Sequence, residues 1–317
     1  MDSRLLRRLS ASLSVPLLAM ASYSSAQTLP VLSIGGADTS TNGWRPVLSA
    51  SGGYLTDPLN DSQTGQDVCE IVGTASSPGA YFGSGTIGGV QYMGFRVRLE
   101  AIATTGGNYN LSALKQATWF GFNFDGDASV DMWVGSDNIS QQTNQHQLVI
   151  ANVVGQNNNT TNVGPSNASI DYSTGGSAVL PIKSYALQDG TNFSYQLVSG
   201  TNTTLGTSTG LGPDGTTDAI LSWVVPYADF VSAVNSTAVM GTGFGFNSNS
   251  SFSVVVVTSN TQNTVNQDVL GLDGIVSTVS FSYSAPMTTS YPIPEASTAT
   301  MASVLLLPFV LRRRRRS

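Results

Sequence analysis

The sequence predicts an all-β fold, a β-sandwich or a jelly-roll-like domain. Short runs of β-branched and aromatic residues recur along the chain, and Gly, Ser, Thr and Asn dominate the connections between them. Several runs alternate apolar and polar residues, the period of a strand with one buried face, as at Phe120, Phe122 and Phe124. Closely spaced short strands are typical of sandwiches. The rival architecture, a parallel β-helix, requires a fixed repeat, and the sequence shows none.

The candidate strands lie between residues 91 and 284. They are 91–102, 117–124, 130–136, 146–154, 192–199, 218–225, 243–247, 251–259 and 277–284. One short helix is predicted at 227–235, because this segment follows Pro226 and carries apolar residues at helical spacing. No linker divides residues 27–288, so we predict a single sandwich domain there.

The N-terminus has the order of features of a secretory signal peptide. Three arginines within the first eight residues precede an apolar stretch at 13–21, and small residues then lead to Ala26. This order predicts export, with cleavage after Ala26 and residues 1–26 removed. An amphipathic first helix is the alternative, but the Ser-rich pattern gives no clean apolar helical face.

The charge distribution argues against a nucleic-acid partner. The chain has a formal net charge of −6, but most of its basic residues lie near the two ends. Residues 27–288 contain five basic side chains against seventeen acidic ones, a formal charge of about −12. A body this acidic repels nucleic acid and anionic lipid. Cys69 is the only cysteine, so core packing, sheet hydrogen bonds or bound metal must stabilise the exported chain without an internal disulfide.

An acidic segment between two candidate strands predicts a calcium loop. Side-chain oxygens recur at Asn123, Asp125, Asp127, Ser129 and Asp131. This alternate spacing is used when a short loop wraps Ca²⁺ with hard oxygen ligands. The match to an EF-hand loop departs at Ala128, where glycine is normal, and at Val134, where a bidentate acid is normal. The alternative is a plain turn whose aspartates bond nearby backbone amides.

A second acidic segment repeats part of this spacing and predicts a weaker calcium site. Asp214 and Asp218 are spaced as Asp127 and Asp131 are, and an apolar run with a tryptophan follows in both cases. Ca²⁺ is therefore the one cofactor that the sequence suggests, and plain turns remain the alternative here also.

Catalytic signals are scarce, and we expect no enzymatic activity. The chain has one histidine, so it offers no choice of triads and no zinc pattern. Arg96, Arg98 and Glu100 share one face of a candidate strand, which is either an active-site wall or, more commonly, a solvated face. The four tryptophans could line a sugar-binding surface, but core packing is the more ordinary role of such residues.

The C-terminus carries three features in succession. Pro294, Glu295 and Ala296 precede an apolar stretch at 301–311, and a basic cluster then follows at Arg312, Arg313, Arg314, Arg315 and Arg316. The apolar stretch is shorter than the roughly twenty residues that a spanning helix requires, so the tail is a poor permanent anchor. By the positive-inside tendency the arginines would face the cytoplasm, which implies a transient membrane contact.

This tail resembles the C-terminal sorting signal of the PEP-CTERM family, surface proteins of Gram-negative bacteria that make exopolysaccharide. The family motif is Pro-Glu-Pro, and Ala296 stands here in place of the final proline. The resemblance implies that residues 289–317 are a sorting tail and that an exosortase-type processing enzyme is a partner. It also implies delivery to the cell envelope, the outer surface or the extracellular matrix.

The body resembles uncharacterised exported domains that accompany such tails. The resemblance rests on residues 60–73, 94–101, 120–135, 218–230 and 258–271. It implies no known activity and identifies no catalytic residue. We expect a structural or adhesive role, with exopolysaccharide as a candidate partner. The alternatives are a carbohydrate-binding module and, less favoured, a polysaccharide-active enzyme.

Overall fold

Two antiparallel β-sheets pack face to face, which confirms the predicted all-β sandwich. The structure is a computed structural model, and it describes residues 29–36, 38–63, 67–101, 104–105, 108–109, 114–127, 129–139, 146–153, 182–197, 218–241, 243–260, 265–273, 281 and 283–289. Within these stretches, no helix combines the length and the apolar character needed to cross a bilayer.

The first sheet has five strands, and the second has six. The first is built from β1 (Trp44–Pro46), β2 (Ala80–Ile87), β3 (Val90–Leu99), β10 (Phe193–Leu197) and β11 (Ala219–Pro226), in the spatial order β1-β2-β3-β11-β10. The second is built from β6 (Ala117–Asn123), β7 (Met132–Asp137), β8 (Gln147–Asn152), β9 (Lys183–Ala186), β12 (Ser253–Ser259) and β13 (Asp268–Val269), in the order β13-β12-β6-β7-β8-β9. A short ribbon pairs β4 (Thr104–Thr105) with β5 (Asn108–Tyr109), and a 3-10 turn spans Ser40–Asn42.

The period-two pattern of the sequence positions the core. On β6, Phe120 and Phe122 face the first sheet and belong to the central apolar cluster, together with Phe124 just after the strand. Trp119, the residue before Phe120, lies on the opposite face of the strand and belongs to a second apolar cluster on the outer face of the sheet. Both faces of β6 are therefore buried, whereas an alternating pattern of apolar and polar residues predicts one solvent-exposed face.

The predicted helix is confirmed as α1 (Tyr227–Val234), which begins directly after Pro226. Its buried residues include Phe230 and Val234, which pack against the central cluster. The helix ends before Asn235, whose side-chain oxygen accepts the backbone N–H of Phe246 at 2.8 Å. The sequence predicts a strand at 243–247, and this prediction is wrong. The backbone N–H of Phe246 is bonded to a side chain and not to a neighbouring strand.

Seven of the predicted strands correspond to β3, β6, β7, β8, β10, β11 and β12. The described residues of the segment 277–284, which are 281, 283 and 284, do not form a strand. The strands that the sequence does not predict are β1, β2, β4, β5, β9 and β13. Gly83 and Gly85 interrupt the apolar pattern of β2, so the strand is not evident from the sequence. A Cβ at either position would lie less than 3.0 Å from residues 29–36, which cross the outer face of the first sheet, so glycine is required at both.

Glycines also lie beneath tryptophan rings on the second sheet. Trp119 on β6 is paired across the strands with Gly135 on β7, and Trp133 on β7 is paired with Gly121 on β6. A Cβ at Gly135 would lie 2.1 Å from Cε3 of Trp119, and one at Gly121 would lie 2.6 Å from Cζ3 of Trp133. Each indole therefore lies flat over the backbone of the neighbouring strand, and only glycine permits this approach.

Candidate functional site

The acidic segment that predicts a calcium loop forms the turn between β6 and β7. The backbone N–H of Asp131 donates to the carbonyl of Phe122 at 2.7 Å and closes the hairpin. Asp125 and Asp127 are exposed at its tip. Asn123, Ser129 and Asp131 are buried at its base.

Backbone amides already occupy several of the side-chain oxygens in this turn. Oδ2 of Asp131 accepts the N–H of Phe124 at 2.7 Å, and Oδ1 of Asn123 accepts the N–H of Gly126 at 2.7 Å. Asp127 likewise accepts a nearby amide. This is the bonding of a plain turn. Among the described residues, the three aspartates of this turn do not bring their carboxylate oxygens within 4.8 Å of one another.

The pKa of Asp131 is raised to about 7, chiefly by burial and also by the charges of Asp125 and Asp127, while the N–H of Phe124 acts to lower it. The folded protein therefore keeps a proton on this carboxyl over a pH range in which the unfolded chain, with a pKa near about 4, has released it. Stability contributed by this proton is lost as the pH rises from about 4 to about 7. A cation bound at the turn would compete with the same proton.

We expect Asp131→Asn to flatten the pH dependence of stability. Between pH 4 and pH 8, the free energy of unfolding of the parent in EDTA should fall by an extra amount on the order of 2–4 kcal/mol from this carboxyl alone. Asparagine keeps the acceptor for Phe124 and removes the titration. Urea unfolding at several pH values measures the difference, with Asp189→Asn, at an exposed site outside the hairpin, as the control. A pH profile identical to the parent's would contradict the prediction.

The second predicted calcium segment lies only in part within the structure. Asp214 lies outside the described residues. Asp218 precedes β11 in the first sheet, is fully buried and forms an ion pair with Arg98. The structure therefore places Asp218 apart from the hairpin of the second sheet and beside a guanidinium.

Arg96, Arg98 and Glu100 do not form the solvated face that the sequence analysis favoured. The exposed fractions of these residues are 0%, 5% and 4%. For Arg96 the reason is that residues 29–36 cross the outer face of the first sheet, where Leu32 and Ile34 pack beside Trp44. Arg96 is consequently as buried as its neighbours Phe95 and Val97 on the inner face.

The guanidinium of Arg96 fastens the N-terminal segment to this sheet. It forms an ion pair with Asp38. It also donates to the carbonyl oxygens of Ile34 at 2.6 Å and Gly36 at 3.0 Å, and to the hydroxyl of Ser222 on β11 at 2.8 Å. Its carbon lies 4.1 Å from the centre of the Trp44 ring, a cation–π contact. Arg96 is thus a structural residue.

The four tryptophans offer no surface to a sugar. Trp119 and Trp223 are 0% exposed, and Trp44 and Trp133 are 1% exposed. Trp223 stacks on Phe95 in the central cluster at 5.6 Å between ring centres. The core role is therefore the one that the structure shows.

The sequence analysis missed a cluster of carboxylates beside β13. Asp57, Asp61 and Asp268 each place an oxygen within 4.8 Å of the others, and Glu70 lies next to them. Asp57, Glu70 and Asp268 are buried, and Asp61 is half-buried. No local spacing could reveal the cluster, because β13 lies almost two hundred residues further along the chain.

A cavity of about 510 Å³ opens between β1 and the last described segment. It is lined by Arg45, Pro46, Leu48, Phe82, Ala285, Pro286, Met287 and Thr288. Its wall is mostly apolar, with one guanidinium at its edge. Its size and apolar wall would suit a small ligand.

The predicted addressing signals lie outside the described residues. These are the signal peptide with its cleavage position Ala26, and the tail features at Pro294, Glu295, Ala296 and the terminal arginines. No family model, no curated protein and no solved structure matches this chain.

Proposed function

We propose that this chain is an exported protein of the bacterial cell surface or extracellular matrix with a structural or adhesive role, sorted by an exosortase-type system. The single observation that carries the proposal is the set of contacts that the Arg96 side chain makes. This buried guanidinium binds Ile34, Gly36 and Asp38, which lie shortly after the predicted cleavage at Ala26. A chain trimmed at that point would keep its new N-terminus fastened to the sheet.

The charged groups singled out by the sequence support a structural rather than a catalytic role. Arg96 and Arg98 are buried in ion pairs with Asp38 and Asp218. The thiol of Cys69 is buried, and its pKa is raised to about 12 by that burial and by nearby carboxylates, so it is a poor nucleophile at neutral pH. Calcium at the hairpin turn belongs to the same proposal, as an ion that orders the tip carrying Asp125 and Asp127.

A carbohydrate-binding role is the second candidate, and one observation favours it. The cavity beside β1 combines an apolar wall with Arg45, whose guanidinium is a donor suited to the hydroxyl groups of a sugar. Screening the protein on a glycan array, with Phe82→Ala as the variant that alters the cavity wall, separates this role from a purely structural one. Binding that the variant abolishes would favour the second candidate.

Mass spectrometry of the protein recovered from the surface of a producing cell tests the sorting proposal. We expect a chain that begins at Gln27 and has lost the arginines 312–316. A double variant, Pro294→Ala/Glu295→Ala, should remain unprocessed in the membrane fraction. Surface protein that still ends at Ser317 would contradict the proposal.

A further inference from the structure

The carboxylate cluster beside β13 lies where one loop joins the two sheets. Residues 57–73 bond to the first sheet through β3, since the N–H of Val72 donates to the carbonyl of Arg98 at 3.1 Å. The same segment bonds to the second sheet at β13, since the N–H of Ile71 donates to Oδ2 of Asp268 at 2.5 Å, and the N–H of Gln63 donates to the carbonyl of Gln267, just before β13, at 2.8 Å. Whatever holds the cluster together therefore holds this loop between the sheets.

The cluster concentrates negative charge away from water. The ion pairs in the described part of the chain join Arg96 to Asp38, Arg98 to Asp218 and Lys183 to Asp229, so none of them includes Asp57, Glu70 or Asp268. Buried carboxylates are normally neutralised by a proton, by a basic side chain or by a bound cation. These carboxylates are therefore neutralised by a proton or by a cation.

Backbone amides favour the ionised form of these carboxyl groups. Asp268 accepts two, from Ile71 at 2.5 Å and from Val269 at 2.6 Å. Oδ1 of Asp57 accepts the N–H of Gly271 at 2.7 Å, and Oε2 of Glu70 accepts an N–H at 2.8 Å. Hydrogen bonds to carboxylate oxygens stabilise the charged state, so these backbone amides favour ionised carboxylates in the cluster.

Two buried oxygen atoms at the cluster lack a hydrogen bond within the described structure. Oδ2 of Asp57 is one, and Oγ of Ser62 is the other. Each residue is only 6% exposed. A buried polar atom without a partner is costly, and a cation bound by Asp57 would give its Oδ2 atom a partner.

We propose that Asp57, Asp61 and Asp268, supported by Glu70 and Ser62, bind a calcium ion that ties the loop 57–73 to β13. The ligand atoms are all hard oxygens, which suits Ca²⁺.

This site is distinct from the hairpin turn between β6 and β7, and a thermal unfolding experiment separates the two. The full-length chain is stripped with EDTA at pH 7.5 and titrated with CaCl₂, with MgCl₂ in parallel. At a calcium concentration one hundred times the Kd, the Tm should rise by about 5–10 °C. Magnesium should have less effect, because it demands a stricter octahedral geometry.

The variants assign the shift to one site. Asp57→Asn/Asp268→Asn should lose the calcium response, because the substitutions remove two of the three charged ligands while keeping side-chain size. Asp125→Ala/Asp127→Ala, in the hairpin turn, should retain the response. If the double asparagine variant fails to fold, Asp61→Asn, at the half-buried ligand, should still weaken calcium binding about tenfold by isothermal titration.

Two results would overturn the proposal. One is a parent whose Tm calcium leaves unchanged. The other is a calcium shift that persists in Asp57→Asn/Asp268→Asn or in Asp61→Asn, including a shift that only the hairpin variant abolishes. The last outcome would leave the calcium-ordered hairpin of the proposed function standing while removing this site.

Discussion

Replacing Arg96 by methionine is expected to lower the free energy of unfolding by about 3–5 kcal/mol, the range found when one partner of a buried ion pair is removed. The side chain of Arg96 is 0% exposed and that of Asp38 is 6% exposed. The variant leaves that carboxyl buried without its guanidinium, and it leaves the carbonyls of Ile34 and Gly36 without their donor. Urea unfolding followed by tryptophan fluorescence measures the loss.

A matched control comes from the surface pair of Lys183 and Asp229. Those side chains are 48% and 30% exposed, with 3.4 Å between the charged atoms. Lys183→Met should therefore change stability by at most about 1 kcal/mol. The double variant Arg96→Met/Asp38→Asn should be less destabilised than the sum of its single changes, because the buried charge is gone. Equal losses of unfolding free energy in Arg96→Met and Lys183→Met would show that the buried ion pair stabilises the fold no more than the surface pair does.

The same substitution should loosen the N-terminal segment before the rest of the fold. Limited proteolysis of Arg96→Met under native conditions is expected to cut within residues 29–38 faster than in the parent, because the guanidinium holds that segment to the sheet. Cutting at equal rates in both proteins would contradict this part of the prediction.

Replacing Gly135 by alanine is expected to destabilise the protein by about 2–3 kcal/mol, the cost of overpacking a filled site. The added Cβ would lie 2.1 Å from Cε3 of Trp119 and 2.6 Å from the carbonyl oxygen of Thr118. The ring is fully buried, so it cannot move aside into solvent. The Tm and the urea midpoint should both fall.

Gly53→Ala is the matched control for that change. Gly53 has no atom within 4 Å of an added Cβ, so alanine there should change stability by less than about 0.5 kcal/mol. A second test combines Gly135→Ala with Trp119→Leu, whose smaller side chain leaves space for the methyl group. The cost of Gly135→Ala should be smaller in that background than in the parent. An unchanged cost would mean that the indole is not the obstacle.

The calcium prediction from sequence and the cluster in the structure have different origins. The hairpin segment was found because its oxygens recur at every second position within nine residues. The structure uses several of those oxygens to accept amides of the same turn. The cluster of Asp57, Asp61 and Asp268 has no such spacing, because loop closure over most of the chain brings its members together. Local patterns detect local sites, whereas ligands from distant segments become visible only in three dimensions.

By itself, the sequence determined the class of the fold, most of its strands, its helix and the acidic character of the body. These follow from the period of apolar residues and from local turn and helix signals, which act over a few neighbouring positions. Only the tertiary structure decided which face of each strand meets water. Residues 29–36 cover the outer face of the first sheet, and a second apolar cluster covers that of the second. Arg96 is therefore buried, and Gly135 lies under an indole, because segments far apart in the chain exclude water from both faces of the sheets.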